Sequence, residues 1–113
     1  PLTAAHHVPH GQAVGLMLPH VVRFNGPACG AAYADLLHEI GMTIPADAAG
    51  ERLARWLSDL LAAARLATSL TAVRVPAPET TRLAAQAASQ WTADFNPRPV
   101  TATDLAALYE AAR

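Results

Sequence analysis

Lysine is absent from this 113-residue chain, so all eight of its basic side chains are arginine. That absence excludes a Schiff-base lysine, a lysine general base and a lysine-bearing phosphate loop. Cysteine is nearly absent too. Cys29 alone permits no internal disulfide framework and no cysteine-rich zinc site, which points to a reducing, cytoplasmic setting. Charged residues make up only 15% of the chain, against about 25% in an average domain. A surface so poor in charge implies cover from another domain or from further copies in a homo-oligomer. The net charge of −1 gives no footprint for nucleic acid. Apolar stretches are cut by Pro, Arg or Asp well short of 18 residues, and the N-terminus has no basic region leading into an apolar one. Neither a membrane span nor a signal peptide is expected. The chain opens at Pro1, in a tract that reads like the interior of a longer protein, so a fragment is expected.

What is abundant is apolar material, 52% of residues, enough for the core of one domain. It recurs at helical spacing in five windows, and nothing reads firmly as strand. Val14, Met17, Leu18, Val21 and Val22 predict a helix from about Gly11 to Phe24, bent at Pro19 and stopped by Asn25-Gly26-Pro27. Tyr33, Leu36, Leu37 and Ile40 predict a second helix, closed by Gly41 as a left-handed cap. Leu53, Trp56, Leu57, Leu60, Leu61 and Ala64 predict the third and longest, with Asp47 as N-cap and Trp56 in the core. Leu70–Val75 reads as a connector. Pro78 starts a fourth helix that turns Leu83, Ala84, Ala87, Ala88 and Trp91 inward. Thr101 and Asp104 form a capping box for a fifth, which presents Leu105, Leu108, Tyr109 and Ala112. The expected fold is all-α: a compact bundle of about five helices forming a single domain over residues 1–113.

Few residues offer chemistry. There is no G-x-S-x-G elbow, no C-x-x-C pair and no glycine-rich loop between a strand and a helix. His6, His7 and His10 fall within five residues, and imidazole is the commonest metal ligand. They also suit a solvated loop ahead of a helix, and Pro9 disfavours a helix joining His6 to His10. His20 and His38 have no partner at ligand spacing and read as structural. Cys29 beside Gly30, close to an expected helix start, could have a lowered pKa, or simply be a small buried residue. Asp35 with Glu39 and Glu51 with Arg55 stand four apart, as on a solvated helix face.

Two segments at the N-terminus, Val8-Pro9-His10-Gly11 and Leu18-Pro19-His20-Val21-Val22-Arg23-Phe24-Asn25, resemble the iron-containing alcohol dehydrogenase family. The likeness continues through Tyr33-Ala34-Asp35-Leu36 and Ile40-Gly41 to Asn96-Pro97-Arg98-Pro99 and Asp104–Tyr109. Such enzymes have an N-terminal α/β domain that binds NAD(P) and a helical C-terminal domain, with a divalent metal (Fe²⁺ or Zn²⁺) and a small alcohol or aldehyde in the cleft between them. The resemblance implies that this chain is the last part of the helical domain, without the nucleotide-binding domain. It implies that His10 is one of four protein ligands to the metal, the others being an Asp and two His upstream of Pro1. It also sets Thr92 and Phe95 near the substrate pocket. The expected parent activity is NAD(P)-linked interconversion of an alcohol with an aldehyde or ketone, the isolated chain being inactive. The alternatives are a maleylacetate reductase of the same superfamily and a non-catalytic helical module that binds a protein partner.

Overall fold

The computed structural model describes residues 1–113. Five α-helices follow one another, α1 (Leu2–His6), α2 (His10–Glu39), α3 (Ala46–Ala63), α4 (Thr80–Ala88) and α5 (Ala102–Ala111), with 3₁₀ segments at Ala77–Glu79 and Trp91–Phe95. There is no strand, and no helix is long and apolar enough to cross a membrane.

Helix α2 departs most from expectation. It does not stop at Asn25-Gly26-Pro27 but runs unbroken for 30 residues through both Pro19 and Pro27. Each proline removes one backbone donor, leaving the carbonyls of Gly15 and Arg23 without their usual partners. The helix survives Pro27 because distant residues brace the turn before it. Arg98 Nη1 donates to the Phe24 carbonyl at 2.8 Å, and its guanidinium stacks 4.0 Å from the centre of the Phe24 ring. Beside them the Asn25 and Asn96 amides donate to each other at 2.8 and 2.9 Å. The two recognised motifs, Arg23-Phe24-Asn25 and Asn96-Pro97-Arg98-Pro99, are thus two halves of one clamp.

Helix α2 ends where expected. Gly41 takes φ +82°, and Met42 N–H donates to the Leu37 carbonyl at 3.0 Å, a Schellman closure. Helix α3 then returns antiparallel along α2. Gly26 faces Gly50 so closely that a Cβ on Gly50 would lie 2.8 Å from the Gly26 Cα, and Gly30 sits as tightly against the Ala46 backbone. Asp47 is not the N-cap of α3. Pro45 holds that position, and Asp47 lies in the first turn, where its charge still opposes the positive end of the helix dipole.

Two apolar cores result, both built on α2. Its first half packs with α1, α4, α5 and the connector, burying Leu16, Leu70, Leu83 and Tyr109; its second half packs Val22 and Leu37 against Ala49 and Leu53 of α3. The Leu70–Val75 connector is a tight turn, with Arg74 at φ 60° and Leu70 N–H donating to the Ala112 carbonyl at 2.7 Å. Several stripe residues face outward: Val14, Leu18, Leu36, Ile40 and Leu60 are exposed, and Trp56 is only half-buried. Trp91 does not turn inward either. Helix α4 stops at Ala88, and Trp91 stands 73% exposed on the following 3₁₀ segment, edge-on to the equally exposed Phe95. The capping box at Thr101 and Asp104 forms as expected, with both reciprocal bonds present.

Candidate functional site

Local sequence fixes where His10 stands. Helix α1 ends at His7 with left-handed backbone (φ 54°), Val8 is buried, and extended Pro9 (φ −52°, ψ 135°) caps α2. Pro9 therefore separates the two helices, and His10 becomes the first residue of α2, with an exposed side chain. His6 and His10 lie on different helices. His10 lines a depression of about 450 Å³ whose floor includes Leu2, Ala13, Met17 and Tyr109. Tyr109 is buried, which pushes its phenol above its ordinary pKa.

A second depression, of about 470 Å³, lies along the same helix. Its walls come from Val21 and Phe24 of α2, from Leu105 and Leu108 of α5, and from the segment after α4, which supplies both Thr92 and Phe95. Gln90 lines both depressions. The structure brings Thr92 and Phe95 to one cleft and His10 to its neighbour. Gln90 carried no signal in the sequence, because it belongs to no motif and its position depends on where α4 ends. The shared wall was legible in principle: His10, Val14, Met17, Val21 and Phe24 follow one another at intervals of three or four along a single helix.

The remaining histidines are dispersed. His6 Nε2 is enclosed without a hydrogen bond, 3.7 Å from a Glu79 carboxylate oxygen, while His7 and His38 are exposed. His20 is half-buried in a further depression that Phe24 and Leu108 also line, and burial, then the nearby Arg23 charge, lowers its pKa. No three His, Cys, Asp or Glu side chains stand close enough together to hold a metal ion. His10 thus offers one imidazole donor, where a metal site generally needs at least three protein ligands. Cys29 lies partly buried in the interior of α2 rather than near a helix start. The Glu51–Arg55 pair is exposed, and Glu51 also binds Arg23 across the α2–α3 seam at 2.7 Å. Hydrogen bonding from Arg23 lowers the pKa of the Glu51 carboxyl.

Four helices hang on one long axial helix, and a histidine stands at that helix's first residue. The model of the Fe-containing alcohol dehydrogenase family, C-terminal part, matches residues 1–113, and the chain belongs to that family. It is 30% identical over 115 residues to lactaldehyde reductase of Escherichia coli strain K12 and to that of strain O157:H7. Each match covers 99% of this chain and 30% of the relative. Among solved structures, a 1,3-propanediol oxidoreductase superposes with a TM-score of 0.91 at 25% identity, covering 99% of this chain and 30% of the other. The chain therefore spans about a third of the length of the relatives it matches.

Proposed function

We propose that residues 1–113 act as the helical, substrate-facing C-terminal domain of an NAD(P)-dependent, metal-containing alcohol dehydrogenase, completed by an N-terminal nucleotide-binding domain. The observation that carries this reading is the placement of His10 on the same helix face as Val21 and Phe24 of the Thr92–Phe95 cleft, in a neighbouring depression that shares Gln90 with it. Family membership supports the reaction class, since the matched relatives are named as a reductase of lactaldehyde and an oxidoreductase of 1,3-propanediol.

His10 would give a neutral imidazole to a divalent metal, iron or zinc, whose remaining donors come from outside these residues. Such a metal would supply Lewis-acid polarisation of the alcohol oxygen, and a nicotinamide held by the other domain would supply the hydride chemistry. This chain's own share is positioning. Buried Val8 and extended Pro9 hold His10 at the start of α2, while Thr92 and Phe95 line the space for the substrate. The asparagine clamp keeps the segment after α4 against α2, and with it the cleft wall.

The test is His10→Ala in the full-length protein. Loss of even an outer partner of a metal ligand typically costs 10–100-fold, so loss of the ligand should lower turnover by more than ~100-fold and reduce bound metal. Nucleotide binding, measured by calorimetry, should stay within about twofold, because NAD(P) is held by the other domain. Unchanged metal content and turnover would remove His10 from the site.

A further inference from the structure

Polar groups on the wall of the Thr92–Phe95 cleft divide into engaged and free. Asn25 and Asn96 bond to each other, and Asn96 also donates to the Arg98 carbonyl at 2.7 Å. Gln90 and Thr92 make no side-chain hydrogen bond within the chain, so theirs are the free polar side chains on this wall. No Asp, Glu, Arg or His lines the cleft, and eight of its thirteen lining residues are hydrophobic. Gln90 also lines the neighbouring His10 depression, where Val14 and Met17 form an apolar strip along the same helix. From His10 to Val21 that strip runs roughly 16 Å at 1.5 Å per residue.

From this we infer that the site takes an uncharged alcohol or aldehyde with an extended apolar body, rather than a short polyol or a hydroxy acid. The inference rests on the alcohol dehydrogenase reading above. The oxygen-bearing end lies at His10, the body follows Val14 and Met17, and the far end occupies the space between Val21, Phe95 and Val100. Gln90 stands at the waist, where its amide can bond to the substrate oxygen or to a water beside it. A carboxylate or phosphate on the far end would meet no cation among the residues that line the cleft. A second hydroxyl there would find the Thr92 side chain, with Gln90 engaged at the waist, whereas each added methylene removes further apolar surface from water.

The experiment uses the full-length protein with methyl-labelled Leu and Val and labelled Gln side chains, titrated separately with 1-hexanol and 1,3-propanediol and followed by NMR. Hexanol should give saturable shifts at Gln90, Val100 and Leu105, with a Kd at least tenfold below that of the diol. Ala93→Phe, which fills the cleft, should raise the hexanol Kd at least tenfold and leave that of the diol within twofold; the wild-type titration decides the matter should this variant not fold. Equal affinities, or hexanol shifts confined to the exposed Leu36 and Leu66, would overturn the inference. Steady-state kinetics separates it from the reading beneath. A metal-loaded enzyme that oxidises alcohols but favours the diol over 1-hexanol overturns the substrate class alone. Saturable hexanol binding in the cleft without NAD(P)-linked turnover of any alcohol overturns the dehydrogenase reading and leaves the apolar site standing.

Discussion

Asn25 is buried in the middle of a helix, a position that ordinarily leaves an amide side chain without partners, and Asn96 is what satisfies it. Asn25→Ala would remove half of a reciprocal pair and leave the Asn96 carbonyl oxygen and one of its N–H groups unmet. The expected loss is about 1–3 kcal/mol by denaturant unfolding. Arg98→Lys should also destabilise, since an ammonium replaces the planar group that both stacks on Phe24 and bonds its carbonyl. His20 gives a prediction in pH. Its pKa is lowered in the fold by burial and then by Arg23, so the unfolded chain binds the proton more readily. Stability should therefore fall as pH drops through the ordinary histidine value of 6.5, and level off once the depressed native pKa is passed. His20→Gln should flatten that stretch of the melting-temperature curve, and an unchanged slope would assign it to other groups. Motif likeness brought out His10, Thr92 and Phe95 because each sits in or beside a distinctive segment. Gln90 was silent, because only the early end of α4 turns that stretch of chain toward the cleft.

At the scale of elements, the longer helices were readable from periodicity, while the short α1 and two of the boundaries were not. Pro27 looked like a stop, since local rules count its missing donor and cannot see Arg98, 71 residues later, reaching the turn it weakens. Trp91 looked inward because the periodicity was extended past Ala88, where the chain in fact tightens into a 3₁₀ segment. The Gly41 closure and the Thr101–Asp104 box were legible, because both are local bargains among a few neighbouring residues. Glycine governs the α2–α3 seam. Gly50→Ala would place a methyl against the Gly26 backbone, where no flexible side chain can yield, so the helices must part. About 1–3 kcal/mol of destabilisation is expected. Gly11→Ala meets nothing within 4 Å and serves as the control.

As a whole the molecule is a slab, 39 × 32 × 19 Å, no thicker than about two packed helices. Only 20 of its 113 residues are buried, and large apolar side chains, Trp91 and Phe95 among them, stand on its faces. Under the proposed function those faces meet the rest of the enzyme, and the 113-residue chain prepared alone should be incomplete. Calorimetry should detect no NAD(P) binding, and added Fe²⁺ or Zn²⁺ should produce no alcohol oxidation. Sedimentation should show self-association through the exposed apolar surface. Robust turnover by the isolated chain would refute this.

The division of the interior into two cores along a single helix carries a kinetic consequence. Val22, Leu37 and Leu53 belong to one core and Leu16, Leu83 and Tyr109 to the other, so α3 shares no buried core with α4 and α5. The chain should behave as two cooperative units of unequal lifetime rather than as one. In native-state hydrogen exchange, amides of α3 and of α2 beyond Pro27 should open together. Those near Leu16 should follow only with global unfolding. Gly50→Ala should speed the first group and spare the second, so that a mutation at the seam would be felt on one side of the molecule alone.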